Sequence, residues 1–143
     1  MRLYLDNCCF NRPFDDQTQL KINLEAQAKL TVQQMILIGK HTLVWSYMLE
    51  YENKQNPYEI RKNSIVKWKE LAECNILENE AVLSIAEFLL EQGIKAKDAI
   101  HIACACVAES DYFLTTDIGI LKKNINIIKI VNPIDFIRET EER

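Results

Sequence analysis

At 143 residues, with 48% hydrophobic and 27% charged, the chain has the size and composition of one globular domain with a full core, and residues 1–143 are read as that single domain. No apolar run approaches the roughly 18–20 residues of a membrane span. The opening Met1-Arg2-Leu3-Tyr4-Leu5-Asp6 meets an acid too early for a signal peptide, so a cytoplasmic protein is expected. The formal net charge of −4 does not advertise nucleic-acid binding, although a cluster of metal-binding acids would itself add charge of that sign.

Arg2 to Asp6 reads as a short strand, with Leu3 and Leu5 on one side and Tyr4 on the other. Cys8 to Asp16, which holds Asn11, Pro13 and two aspartates, reads as a loop. From about Thr18 to Ile38 a helix is expected, its inward stripe marked by Leu20, Leu24, Ala28, Val32, Met35 and Ile36, and Gly39 stops it. His41 to Trp45 is rich in strand formers. Ser46 can cap the following helix, on which Trp45, Met48, Leu49 and then Glu52 extend one stripe. At 3.6 residues per turn Glu50 is turned roughly 160° away from Glu52. Asn56-Pro57-Tyr58-Glu59 reads as the next helix start, with Pro57 at its first position and Ile65, Trp68 and Ala72 facing inward.

A third strand is expected near Cys74 to Leu77, then a helix from Glu80 to Gln92 ended by Gly93. Ala96 to Ala108 is apolar nearly all round, so this helix should be buried, yet it carries Asp98 in its first turn. Tyr112 to Thr116 is the fourth strand, and the apolar run Ile125 to Val131 suggests a buried fifth. Asn132-Pro133 starts a last short helix, and Thr140 to Arg143 is expected to fray. Strands alternating with helices imply an α/β domain with a mainly parallel sheet covered on both faces. Cys8, Cys9, Cys74, Cys104 and Cys106 are an odd number without paired zinc spacing, which fits reduced thiols.

In such a sheet ligands bind beyond the carboxyl ends of the strands. Asp6 closes the first strand and Asp117 the fourth, Asp98 opens a helix leading back to the fourth, and Glu52 follows the second. Each acid alone has an ordinary explanation. Asp6 suits a turn, Glu52 an exposed helix face, Asp98 a helix dipole and Asp117 a cap. Together they converge on one edge, where like charges raise one another's pKa unless a hard cation intervenes. Oxygen ligands favour Mg²⁺ or Mn²⁺. His101, one turn beyond Asp98, is read first as a hydrogen-bonded core residue and second as a neighbour of the site.

Leu3-Tyr4-Leu5-Asp6-Asn7, Ser46 with Glu52, Lys97-Asp98-Ala99-Ile100-His101-Ile102-Ala103 and Asp111-Tyr112-Phe113-Leu114-Thr115-Thr116-Asp117 together resemble the PIN-domain nucleases over nearly the whole chain. The resemblance implies a three-layer α/β/α sandwich with strand order 3-2-1-4-5. It also implies metal-dependent cleavage of RNA, as in the toxins of toxin–antitoxin pairs, with an antitoxin as partner and a homodimer as the assembly. Asp6, Glu52, Asp98 and Asp117 would be the metal-binding acids, and Thr115 a polar support. Two departures stand out: Ile118-Gly119-Ile120 replaces the further acid of the family's T-x-D-x-D, and Asn7 to Pro13 is an unusual tract after the first strand. Arg12, Lys95, Lys97, Lys122 and Lys123 are the basic residues expected to flank a groove. The rival readings are a non-catalytic RNA- or protein-binding scaffold and, more remotely, a receiver-type phosphotransfer domain, for which Asp6 lacks an acidic neighbour.

Overall fold

The computed structural model describes residues 1–141. Five parallel strands, β1 (Arg2–Leu5), β2 (Thr42–Ser46), β3 (Cys74–Ile76), β4 (Tyr112–Leu114) and β5 (Lys129–Val131), form one sheet in the order β3-β2-β1-β4-β5. The helices are α1 (Asn7–Asn11), α2 (Leu20–Leu37), α3 (Tyr47–Lys54), α4 (Glu59–Leu71), α5 (Glu80–Glu91), α6 (Ala96–Val107), α7 (Ile118–Leu121) and α8 (Pro133–Glu141). This is the PIN-like sandwich with the order 3-2-1-4-5. Among the described residues no helix is long and apolar enough to cross a membrane.

Strand register divides the core into two layers. Leu3 pairs with Leu43 and Tyr112, so these side chains share one face, together with Leu5, Trp45 and Leu114. That face meets α1 through Phe10 against Trp45 and α8 through Phe136 against Tyr112. Tyr4, Val44 and Phe113 share the other face, where Tyr4 stacks on Phe113 and its edge meets His101 of α6. α5 packs along α6 on this side, and α2 packs against α8 on the other. Burial on both faces makes β1 and β4 almost wholly apolar, and each fully buried Leu or Phe is worth roughly 1.5–3 kcal/mol.

Local chemistry sets the helix ends. Ser46 Oγ accepts from the Leu49 N–H at 3.2 Å and Asn79 Oδ1 from Val82 N–H at 2.9 Å, each satisfying an orphan donor of a first turn. Gly93, at φ +87°, takes the left-handed conformation that turns the chain from α5 into α6 and so delivers Asp98 to the sheet edge.

Several sequence expectations are corrected. Cys8 to Asp16 is not a plain loop: Asp6 caps α1, and a 3-10 turn follows over Arg12–Phe14, with Pro13 where its missing N–H costs nothing. The inward face of α2 is Glu25, Ala26, Lys29, Val32 and Ile36, whereas Leu20 is 73% exposed and Leu24 45%. Long-range partners, not periodicity, decide this. Lys29 lies over both Phe10 and Trp68, its Nζ 5.4 Å from each ring centroid, and burial pushes its pKa down to about 8. α4 begins at Glu59 rather than Pro57, because Asn56 Oδ1 accepts from the Tyr58 N–H and folds the preceding turn. β5 is a three-residue edge strand, half-exposed rather than buried. Thr140 lies within α8, and Glu142 and Arg143 fall outside the described residues. Trp45 and Trp68 are both accounted for inside the core.

Candidate metal centre at the carboxyl edge

β1 ends at Leu5 and the Asp6 N–H continues the ladder to the Leu114 carbonyl at 2.9 Å, which fixes the Asp6 backbone at the sheet edge. Its carboxylate is nearly buried and fully engaged. Oδ1 accepts from the Asn7 N–H at 2.8 Å, and Oδ2 accepts from the Thr115 hydroxyl at 2.8 Å. Thr115 Oγ1 in turn accepts from the Asp117 N–H at 3.1 Å, so one buried threonine ties the ends of β1 and β4 together. The Cys8 thiol, from the unusual tract, lies 3.5 Å from Asp6 Oδ2 and 3.4 Å from Thr115 Oγ1.

Glu52 stands on the inward side of α3, where its Oε1 is hydrogen-bonded to His101 Nε2 and its Oε2 accepts from Asn7 Nδ2 at 3.5 Å. Glu50 points elsewhere: its Oε2 accepts from Trp45 Nε1 at 3.1 Å and pairs with Lys69 at 3.0 Å. The helical angle between the two glutamates therefore sorts them as the sequence suggests. His101 is wholly buried, and its Nε2 lies 3.9 Å from Asp6 Oδ1. Ligand atoms of Asp6, Glu52 and His101 all fall within 4.8 Å of one another, a donor set that can hold one divalent cation. His101 thus belongs both to the core and to the site. Its position three residues after Asp98, on the same face of the helix, had left a place beside the site as the second reading.

Asp98 and Asp117 form the other half of the edge. They line a cleft of about 160 Å³ with Gly93, Lys95 and Lys123 among its walls. Asp117 is exposed and caps α7, its Oδ1 accepting from the Gly119 N–H at 2.8 Å. A helix N-terminus alone would lower the pKa of Asp98. Instead burial, with the charges of Asp6 and Asp117 and then Glu52, raises it to about 6 against the partial relief of His101. For His101, burial pulls the pKa down, but the Glu52 hydrogen bond and the charges of Asp6, Glu52 and Asp98 outweigh it and the pKa is raised. Glu52 is lowered, since His101 and Lys97 overcome the cost of its burial. The two halves are one electrostatic unit.

This crowding has a measurable consequence in the metal-free protein. A carboxyl whose folded pKa is raised from 3.8 to about 6 binds more protons folded than unfolded between those values, so stability falls as pH rises through that window and stays lower above it. Asp98→Asn removes the penalty. In chelator, the variant is expected to melt about 3 °C above the parent at pH 7, for about 1 kcal/mol after solvent screening of a half-buried group, and to match it below pH 4. Melting curves from pH 3.5 to 7.5 check this, and parallel curves for the two proteins would refute it.

Of the basic residues expected at a groove, Lys95 and Lys123 border the Asp98–Asp117 cleft, and Lys97 lies over Tyr51, 5.7 Å from the ring centroid. Lys122 is exposed beyond α7. Arg12 is not a free cation. It donates to Asp15 Oδ2 at 3.0 Å and Thr116 Oγ1 at 3.1 Å and pairs with the fully buried Glu25 at 3.1 Å. It braces the loop between Thr115 and Asp117.

No family model and no curated protein matches the sequence. Among solved structures, a chain of VapBC2 from Rickettsia felis, bound to a DNA fragment from their promoter, superposes with a TM-score of 0.59 at 14% identity, over 92% of this chain and 98% of that one. With the all-parallel sheet in the order β3-β2-β1-β4-β5, this likeness establishes that the chain has a PIN-like fold.

Proposed function

We propose that the chain is a divalent-metal-dependent endoribonuclease of the PIN type, with Asp6, Glu52, Asp98 and Asp117 as the acids that hold Mg²⁺ or Mn²⁺. The observation that carries this reading is the junction of Asp6, Glu52 and His101 with the Asp98–Asp117 cleft at the carboxyl edge of a parallel sheet. The fold shared with VapBC2 supports a toxin–antitoxin setting, with an antitoxin protein as partner; action in the cytoplasm as a homodimer, and one domain over residues 1–143, are carried over from the sequence reading.

A bound divalent cation supplies Lewis acidity to a phosphoryl oxygen and makes a nearby water more acidic. The chain's own residues do the rest. Lys95 and Lys123 attract the phosphate backbone to the cleft, where the acids alone would repel it. Asp98, half-buried at the cleft, or its neighbour Asp117 is the acid suited to orient the attacking water and take its proton. The P–O3′ bond breaks as the water oxygen bonds to phosphorus, leaving a 5′-phosphate and a 3′-hydroxyl. Thr115 holds Asp6, so that carboxylate does not need to reorganise during the reaction.

The test is cleavage of a panel of single-stranded and structured RNAs with Mn²⁺ or Mg²⁺, repeated with chelator and with Asp98→Asn. Chelator-sensitive cutting that the substitution removes is the expected result. One observation favours a second reading: the position of the family's further acid is held by Ile118-Gly119-Ile120 in the α7 turn. An inert protein that also fails to bind Mn²⁺ would move the assignment to an RNA- or protein-binding scaffold.

A further inference from the structure

Behind the candidate centre lies a buried chain of polar groups. Tyr4 Oη lies 2.6 Å from His101 Nδ1 and 2.6 Å from Ser46 Oγ. All three residues are fully buried, on three elements brought together only by the sheet: β1, α6 and the end of β2. Nδ1 and Nε2 of one imidazole are thus both assigned, one to a phenol and the other to the edge where Glu52 and Asp6 sit.

We propose that His101 Nε2 is a nitrogen ligand of the centre and that Tyr4 is the positioning residue whose hydroxyl accepts the Nδ1 hydrogen when Nε2 binds the cation, giving the site a preference for Mn²⁺ over Mg²⁺. The inference rests on the metal-dependent reading above and adds a donor that the four acids do not include.

The hydrogen count supports it. The contacts accommodate one tautomer in which Nε2–H donates to Glu52, Nδ1 accepts from the Tyr4 hydroxyl, and Tyr4 Oη accepts from Ser46. For Nε2 to bind a cation, the imidazole carries its hydrogen on Nδ1. Tyr4 Oη then accepts from Nδ1 and donates to Ser46 Oγ, which also accepts from the Leu49 N–H. The Tyr4–Ser46 hydroxyl pair thus has a hydrogen-bonded arrangement for either tautomer of His101. Mn²⁺ gives up water for an imidazole nitrogen more readily than Mg²⁺, which demands near-ideal octahedral oxygen geometry and keeps its waters. A partner that fixes a ligating histidine typically governs affinity by about 10- to 100-fold.

The experiment is pulsed electron paramagnetic resonance of Mn²⁺ bound to the full chain, with calorimetric titration of Mn²⁺ and Mg²⁺. The chain has only two histidines. The other, His41, lies 3.2 Å from the N-terminal amine before β2, at the opposite end of the sheet. Labelling with ¹⁵N-histidine therefore identifies the ligand without any substitution. The expected result is a nitrogen coupling that changes with the label, vanishes in His101→Gln and accompanies tighter binding of Mn²⁺ than Mg²⁺. Tyr4→Phe, which keeps the ring stacked on Phe113, should weaken Mn²⁺ binding about 10- to 100-fold with a native circular dichroism spectrum. Unchanged Mn²⁺ affinity in Tyr4→Phe would overturn the role of Tyr4. Mn²⁺ binding that Asp6→Asn removes but that shows no nitrogen coupling would overturn the ligand assignment and leave the acidic centre standing. Absence of Mn²⁺ binding by the parent protein would overturn both.

Discussion

Asp6→Asn is expected to lower metal-dependent RNA cleavage by at least about 10³-fold while the protein stays folded, because several kcal/mol of charge stabilisation would be lost at about 1.4 kcal/mol per decade. The substitution is nearly isosteric, and Asp6 lies among hydrogen-bond donors that hold its shape. Asn7 N–H and the Thr115 hydroxyl each donate at 2.8 Å to a different carboxylate oxygen. An amide keeps one acceptor and presents NH₂ in place of the other, so it satisfies either Asn7 or Thr115 and loses the negative charge facing His101. The loss should therefore fall on turnover and Mn²⁺ affinity rather than on folding. Single-turnover cleavage at saturating Mn²⁺, with circular dichroism of the same sample, is the measurement. A variant retaining activity within tenfold of the parent would remove Asp6 from the centre.

Arg12→Met is expected to cost about 3–5 kcal/mol of stability, the penalty for stranding a buried carboxylate. Glu25 is 0% exposed, and its ionic partner is the Arg12 guanidinium, with Asn132 Nδ2 donating to its other oxygen. At this chain length the loss corresponds to a fall in melting temperature of about 10 °C. Glu25→Gln combined with Arg12→Met should recover part of it, since the amide needs no counter-charge, and the double-mutant cycle gives the coupling directly. Additive losses in the double variant would show that Arg12 acts through Asp15 or Thr116 instead.

How much of this was legible beforehand depended on the range of the interactions involved. The five strands and the helix over Ala96–Val107 followed from apolar patterning, from caps such as Ser46 and from the stop at Gly93, whereas the strand order was implied by the resemblance. The choice of Glu52 over Glu50 followed from helical geometry, and the structure sets them on different partners accordingly. By contrast, α1 and the 3-10 turn were hidden because Asn11, Pro13 and two aspartates carry turn propensity, while Asp6 and Arg12 stabilise those turns through groups more than 100 residues away. The face of α2 was misassigned for the same reason. Leu20 and Leu24 look like core residues until Glu25 meets Arg12 and Asn132, and Lys29 meets Phe10 and Trp68.

The sequence by itself determined an α/β chain with acids at the ends of its first and fourth strands and on two of its helices, because strand ends, helix periods and caps are local properties. Only the tertiary structure decided that His101 joins those acids, that Tyr4 and Ser46 stand behind it, and that Arg12 is a brace rather than a groove cation. Each of those outcomes depends on pairing buried polar groups across the sheet, and the partner of a buried charge or imidazole is chosen by which elements pack together.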